Sequence, residues 1–481
     1  MRRFLIDLGR YAAGLGPGLA RAWDSFFFRA ADPTPLALVR IVVGLLLLWS
    51  LAVGGAFDLR AFFGSDGWVD PEVARQVLAE QGGWGWSLWL HVPDAWLFPA
   101  WLGCLVVLTM FTLGLFSRTT AVLAWMIAVS TARRTPVLLF GFDQIVSTWA
   151  LYLAATFSSG QALSVDRFFA RLRPALAEAR RQRKEGANHV APRWSALGSG
   201  VPAPSVGANL ALRLIQLHLT LIYVSAGLAK LRGEPWWNGQ AAWGLISAAE
   251  FRLFDLSWMA AYPRLIEAAT HAGLLLELGL PILLWIKPLR PLGLAVALVM
   301  HASIGLMLGL TTFSLAMIAG CLAFASGPWL RSLIAGDWPA DSGKVLYDGR
   351  CPRCRSTMAV ALAADLDRSF DPIDFNAVAD LRTIHPALTR EACTAAMQWV
   401  GPDGKVRGGY DAVRAMARRL PLTCPLAVLG GLPGVAWAGR LVYNRIASTR
   451  RRDGDCTDET CGLHGPQTQE AAQTAGPGRR P

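Results

Sequence analysis

Long stretches without a charged side chain alternate with short polar segments through the first two thirds of the chain. The run between Arg40 and Asp58 is uncharged, and Pro291 to Leu330 contains no Asp, Glu, Lys or Arg. A transmembrane helix needs about 20 apolar residues, because hydrocarbon offers the backbone no hydrogen-bond partners. The pattern predicts eight membrane spans, near residues 36–57, 95–116, 119–133, 137–157, 210–230, 265–286, 289–309 and 311–330. The third segment is short and could instead form a re-entrant helix, so seven spans are the alternative to eight.

Composition agrees with a polytopic membrane protein. The 481 residues are 53% hydrophobic and 17% charged, whereas soluble chains have about 25% charged residues. This excludes a disordered chain and a small disulfide-rich scaffold, and it argues against an ordinary cytosolic enzyme. The net charge of 46 − 34 = +12 comes from blocks beside the apolar runs, a distribution typical of membrane topology and not of nucleic-acid binding.

Loop charges predict the orientation. The N-terminal segment contains five arginines, and the connection after the fourth span is strongly basic, whereas residues 57–95 contain six acids and two bases. Basic loops remain on the cytoplasmic side, so we expect an inner-membrane protein with both termini in the cytoplasm. Arg133 and Arg134 fall on the wrong side, a second reason to doubt the third span.

The pattern changes after Gly343. Lys344–Tyr347 and Phe370–Phe375 are predicted strands, Met397–Arg407 is a predicted hairpin, and Ser356–Asp367 and Tyr410–Arg419 are predicted helices. This order is that of a small thioredoxin-like α/β domain. The chain is therefore predicted to begin with a basic amphipathic segment at 1–29, followed by an all-α membrane domain at 30–335 with an internal linker at 186–208. The α/β domain follows at 343–450, and a disordered tail at 453–481.

Two cysteines lie where the first strand of this domain gives way to a helix. Cys351 and Cys354 form a CxxC motif after Asp348-Gly349. The free amide groups at a helix N-terminus favour a thiolate at the first Cys. The second Cys is one turn along, where it can attack a mixed disulfide.

The string Leu-Tyr-Asp-Gly-Arg-Cys-Pro-Arg-Cys at 346–354 resembles the DCC family of thiol–disulfide oxidoreductases, whose signature is Asp-Gly-x-Cys-x-x-Cys. The resemblance covers about residues 343–450 and implies that Cys351 is a nucleophile and Cys354 a resolving thiol. One departure from thioredoxin is that no Pro directly precedes the hairpin at Ala395-Ala396-Met397. The alternative for the cysteine pair is half of a structural zinc site, completed by Cys456, Cys461 and His464.

Ionisable residues inside predicted spans are expensive and usually face a cavity or a partner. Glu277 and His301 are the main examples here, and Lys230 lies at the end of a span. The simpler expectations are that Arg40 is a snorkelling anchor and that Asp143 caps the fourth span. Lys230 has the alternative of snorkelling at the external interface, and His301 that of a hydrogen-bonded core residue.

The order of several short motifs over residues 30–330 resembles the HTTM domain of vitamin-K-dependent gamma-glutamyl carboxylases and their bacterial relatives. These motifs are Asp32-Pro33 through Arg40-Ile41 and Gly44, Gly141-x-Asp143, Ser164-Val165-Asp166, Tyr223-x-x-Ala-Gly227-x-x-Lys230-Leu231, Trp236-Trp237, Gly239, His301 and Phe313-Ser314-x-x-Met317. By position, the resemblance implies that Lys230 is the base that deprotonates a hydroquinone. An amine that is removed from water has a lowered pKa and can act as such a base. Asp143 replaces a catalytic His and the large luminal domain is absent, so glutamate carboxylation is not expected.

We therefore predict a membrane protein with a cytoplasmic CxxC oxidoreductase domain acting on protein or small-molecule thiols. Its membrane domain is predicted to bind a quinone-like or lipid ligand among Lys230, Glu277 and His301, with no metal site. The alternatives are a transporter or scaffold with a structural CxxC domain, and a quinone-epoxidising or carboxylase-like membrane enzyme.

Overall fold

The computed structural model describes residues 2–80, 86–136, 139–184, 200–248, 253–335, 343–365, 369–420 and 423–450. The helices are α1 Arg2–Phe27, α2 Thr34–Phe63, α3 Pro71–Glu80, α4 Leu97–Leu113, α5 Ser117–Arg134, α6 Gly141–Thr156, α7 Val165–Lys184, α8 Val206–Lys230, α9 Glu234–Trp237, α10 Ala241–Ser247, α11 Pro263–Trp285, α12 Arg290–Met307, α13 Thr311–Leu322, α14 Gly327–Ala335, α15 Pro352–Ala364, α16 Arg390–Ala395, α17 Tyr410–Ala417, α18 Cys424–Leu429 and α19 Pro433–Ser448. The strands are β1 Gly343–Tyr347, β2 Phe370–Asp374, β3 Gln398–Val400 and β4 Val406–Gly408.

The chain forms two compact units. The first comprises Met1–Phe169 and Pro202–Ile334, and the second comprises Ala170–Val201 and Ala335–Pro481. The second unit therefore takes up most of α7, which sequence analysis treated only as a basic connection. Ala175 of α7 is buried in the core of this unit, and Arg171 Nη1 donates to the carbonyl oxygen of Ala363 at 2.9 Å.

The first unit is the predicted all-helical membrane domain. Each of the eight predicted spans corresponds to a helix, namely α2, α4, α5, α6, α8, α11, α12 and α13. Among the described residues, five helical segments are both long and apolar enough to cross a bilayer: Thr34–Phe63, Asp94–Leu113, Val206–Lys230, Pro263–Trp285 and Arg290–Met307. The polytopic helical fold is confirmed, and the number of spans stays a prediction.

Arg40 is not a snorkelling anchor, and that expectation was wrong. Its side chain is 0% exposed, and its guanidinium donates to the carbonyl oxygens of Ser159 and Leu163, the latter at 2.6 Å. The chain between α6 and α7 is irregular, so its inward carbonyl groups need donors from elsewhere. Arg40 supplies them and ties α2 to this connection.

Arg134 explains the basic pair on the unexpected side of the membrane. The helix α5 is continuous to Arg134, whose buried guanidinium donates to the carbonyl oxygens of Gly64 at 2.6 Å and Val69 at 2.7 Å. These carbonyl groups follow the end of α2, where the helix no longer supplies backbone N–H donors to them. The charge is thus a structural cap and not a topology signal.

Asp143 caps α6, as expected, because its carboxylate accepts a hydrogen bond from the Phe140 backbone N–H at 3.0 Å.

The second unit contains a four-stranded sheet in the order β2-β1-β3-β4. The strands β1 and β2 are parallel, and β3 is antiparallel to both β1 and β4. Alternate residues of β1 enter two cores, Val345 and Tyr347 on one face and Leu346 on the other, as the two-residue period of a strand requires. This βαβ–ββα arrangement confirms the predicted thioredoxin-like fold. The predicted tail at 453–481 and most of the linker at 186–208 lie outside the described residues.

Candidate functional site

The CxxC motif follows a turn held by acidic and amide side chains. The Gly349 backbone N–H donates to Asp374 Oδ1 at 2.9 Å, and Asp348 Oδ1 accepts from the Arg350 N–H at 3.1 Å and from Asn376 Nδ2 at 2.9 Å. A Cβ atom on Gly349 would lie 2.0 Å from Asp374 Oδ2, so the close approach requires glycine. The turn directs the chain from β1 into α15.

Cys351 is the N-cap residue of α15. Its backbone is extended (φ −91°, ψ 115°), Pro352 begins the helix, and Cys351 Sγ accepts from the Cys354 backbone N–H at 3.5 Å. The hydrogen bond from the Cys354 thiol, followed by those from the Cys354 and Arg353 backbone amides, lowers the pKa of Cys351 from 9.0 to about 6 against the opposing effects of burial and of Asp348. The thiolate predicted at the first cysteine is thus favoured by the local geometry.

Cys354 is driven in the opposite direction. The hydrogen bond it makes to Cys351 and its own burial raise the pKa of Cys354 well above its usual range. These opposite shifts favour the thiolate at Cys351 and the thiol at Cys354. Neither residue is disulfide-bonded, and Cys351 and Cys354 are 1% and 6% exposed.

Sequence reasoning missed two residues of this site, Tyr443 and Arg450, which lie on and just after α19. Arg450 Nη1 lies 3.7 Å from Cys354 Sγ, and Arg450 Nη2 donates to the carbonyl oxygens of Thr394 and Ala395. Tyr443 Oη accepts from the Met397 backbone N–H at 3.0 Å, at the position where thioredoxin's Pro is absent. The sequence at 440–452 is basic, but nothing local to it identifies Arg450 as a neighbour of the thiols.

Lys230 and Glu277, two of the residues predicted in the membrane domain, form an ion pair. Lys230 Nζ lies 2.6 Å from both carboxylate oxygens of Glu277, and the two side chains are 23% and 17% exposed. The ammonium also lies 5.1 Å from the ring centroid of Trp236. Each charge therefore has a partner from a neighbouring helix, as an intramembrane ionisable residue requires.

His301 makes a separate contact. Its Nε2 is 2.7 Å from Tyr223 Oη, which is also 3.7 Å from Cys321 Sγ. His301 Nδ1 is buried and, among the described residues, has no hydrogen-bond partner. The hydrogen bonds thus divide the predicted set into a Lys230–Glu277 pair and a His301–Tyr223 pair.

No group of three or more His, Cys, Asp and Glu residues able to hold a metal ion occurs within the described ranges. Cys456, Cys461 and His464, the other half of the alternative zinc site, lie outside those ranges.

Comparison with known families agrees with both resemblances. Residues 345–454 match the family model of the DCC1-like thiol-disulfide oxidoreductases, and residues 204–329 match that of the HTTM domain. The second match covers the later part of the region that resembles HTTM and includes Lys230, Glu277 and His301. No curated protein and no solved structure matches the chain. The chain is therefore a membrane protein in which an HTTM domain is followed by a C-terminal DCC1-like thiol-disulfide oxidoreductase domain.

Proposed function

We propose that the second unit catalyses thiol–disulfide exchange, with Cys351 as the nucleophile and Cys354 as the resolving thiol. The observation that carries this proposal is the position of Cys351 at the N-cap of α15, where thiol and amide donors lower its pKa to about 6. Such a thiol is largely a thiolate at neutral pH, and the thiolate is the nucleophile.

The exchange proceeds in two steps. The Cys351 thiolate attacks one sulfur of a substrate disulfide, a Cys351–substrate disulfide forms, and the other substrate sulfur leaves as a thiolate. Cys354 then loses its proton and attacks Cys351 Sγ, which closes the Cys351–Cys354 disulfide and releases the second substrate thiolate. Two electrons pass to the substrate, and a cytoplasmic dithiol protein or a small-molecule thiol returns the enzyme to its reduced form.

We place this chemistry on the cytoplasmic side of the inner membrane. The support is the positive-inside rule together with α7, whose exposed or half-buried bases include Arg171, Arg173 and Arg180 and which folds with the CxxC unit. Both termini then lie in the cytoplasm. Reducing conditions there would keep both cysteines as thiols between turnovers.

A ligand of the membrane domain is the second proposal, favoured by one cavity of the first unit. It has a volume of about 420 Å³ and is lined mainly by apolar and aromatic side chains, with Asp143 as a charged group. Ligand sites are of this size and character, which suits a quinone-like or lipid molecule. Phe313 lines the cavity and contacts the His301 ring, with centroids 6.2 Å apart. Lys230 and Glu277 do not line this cavity. A ligand bound there would therefore not contact Lys230, and a role of Lys230 as a base would require a different binding site for the ligand.

The redox proposal is tested by reacting the reduced full chain with an aromatic disulfide that releases a coloured thiolate. The parent chain is expected to release two thiolates per CxxC, and Cys354→Ser one, with a stable mixed disulfide at Cys351. The double variant Cys351→Ser/Cys354→Ser measures the thiolate released by the other cysteines, and this amount is subtracted from every result. The matched control is Cys393→Ser. Equal release from the parent and the double variant would refute the proposal.

A further inference from the structure

The last two helices of the second unit expose a large apolar surface. The exposed fraction is 48–67% for nine side chains, Leu426, Val428, Leu429, Leu432, Val435, Trp437, Leu441, Val442 and Ile446, which we call the α18–α19 face. Among the described residues of this unit, the other exposed large apolar side chains are Val201 and Val360, and both are less exposed than these nine. Scattered exposed apolar residues are ordinary, but a contiguous group marks a contact surface.

The exposure follows from the orientation of α19. Its inward side has small residues and one tyrosine: Ala436 is buried, and Tyr443 Oη accepts from Met397. A Cβ atom on Gly439 would lie 2.3 Å from Tyr410 Cε2, so a larger side chain does not fit there. The helix therefore cannot rotate to bury its large apolar residues against its own domain.

The helices that carry this face have no acidic residue. Their charged side chains are Arg440 and Arg445. Arg440 pairs with Asp411 at 3.1 Å, whereas Arg445 is exposed between Leu441 and Ile446. Apolar side chains, a tryptophan and exposed arginine together suit the headgroup region of an anionic bilayer.

We propose that the α18–α19 face lies on the surface of an anionic phospholipid bilayer, the membrane in which the first unit of the same chain is embedded. The tether supplies a high effective concentration of this surface, so a modest intrinsic affinity suffices. Because α18 and α19 carry arginine and no Asp or Glu, the face suits an anionic lipid surface better than a protein partner, whose polar rim usually carries both signs of charge. The proposal does not depend on the redox activity of Cys351.

The test uses the full chain in nanodiscs of phosphatidylethanolamine and phosphatidylglycerol, with a photoreactive p-benzoylphenylalanine in place of Trp437. Lipid adducts are quantified by mass spectrometry against the same substitution at Val106, which is exposed on the membrane helix α4, and at Lys405, in the exposed turn between β3 and β4. We expect position 437 to give at least about fivefold more lipid adduct than position 405. A yield equal to that at 405, or a cross-link to a second copy or to another peptide of the same chain, residues 453–481 included, would overturn the proposal.

Charge reversal tests the electrostatic part. Arg445→Glu is expected to reduce the adduct at 437 by about threefold to fivefold, and Lys405→Glu to leave it unchanged. A thermal unfolding temperature equal to that of the parent chain shows that both variants are folded. An unchanged yield in Arg445→Glu would contradict the role of anionic lipid.

Discussion

At Cys351 the acidity of a single thiol depends on which groups donate hydrogen bonds to its sulfur. The largest effect comes from the Cys354 thiol and the next favourable ones from backbone amides at the start of α15. The same hydrogen bond raises the pKa of Cys354, so the two titrations belong to the pair. The proton that Cys354 retains keeps the resolving thiol inactive until the mixed disulfide has formed.

We expect alkylation of Cys351 by iodoacetamide to reach half its maximal rate near pH 6, because its pKa is lowered to about 6. The rate should be nearly constant above pH 7, where about 90% is thiolate, and should fall as the pH drops through 6. Quantitative mass spectrometry of the modified peptide measures it. Cys354→Ala removes the thiol donor and should move the midpoint upward. A midpoint near 8.5 in the parent chain would disagree with this assignment.

Arg450 should assist the resolving step. Its guanidinium lies 3.7 Å from Cys354 Sγ and lowers the pKa of that thiol against the larger opposing effects. Arg450→Ala is expected to lengthen the lifetime of the Cys351 mixed disulfide by about threefold to tenfold, while Arg450→Lys restores part of the rate. Arg445→Ala, on the exposed side of α19, is the control. An unaltered lifetime in Arg450→Ala would show that its contacts with the Thr394 and Ala395 carbonyls are its whole role.

At the scale of helices, α8 and α11 are joined by the Lys230–Glu277 ion pair. Lys230 is the last residue of α8, where a positive charge also interacts favourably with the helix dipole. Glu277 lies well inside α11, so its carboxylate depends on this partner.

Removing one partner should therefore be worse than removing both. Lys230→Ala leaves the Glu277 carboxylate without its cation and is expected to destabilise the first unit by roughly 1–3 kcal/mol, less than for a fully buried pair. The double variant Lys230→Ala/Glu277→Ala should recover part of that loss. Thermal unfolding of the full chain in one detergent compares the two, with Arg232→Ala as the control. Additive losses in the double variant would argue against coupling between the helices.

For the whole molecule, sidedness is the property on which the redox partners depend. We expect an impermeant maleimide to label Glu80→Cys on intact cells, and Lys405→Cys only after permeabilisation, since the loop 57–95 is predicted to be external and the second unit cytoplasmic. Both residues are exposed. Labelling is measured as the increase over the parent chain, which corrects for its own cysteines. Labelling of Lys405→Cys on intact cells would place the CxxC in an oxidising compartment and favour an oxidase role.

The contiguous part of the redox site was predictable, because β1, the Asp-Gly turn, the cysteines and α15 follow one another within residues 343–364. Tyr443 and Arg450 were not, since they reach the site from about 90 residues further along the chain. In the membrane domain, individual charges were recognised as unusual, but partners on other helices were not. Arg40 and Arg134 show the consequence. Arg40 was expected to be a snorkelling anchor and Arg134 was interpreted as a topology signal, yet both donate hydrogen bonds to backbone carbonyls.

By itself the sequence determined that the chain crosses a membrane, where its helices lie and that a CxxC motif opens a helix after a strand. These properties are local, since hydrophobic runs, turn residues and a cysteine spacing act between residues that are close in the chain. Only the tertiary structure decided that Lys230 meets Glu277, that α7 folds with the CxxC unit, and that α19 turns its small residues inward and its large apolar ones outward. Those outcomes depend on packing between segments distant in the chain, and no local pattern records which of them come together.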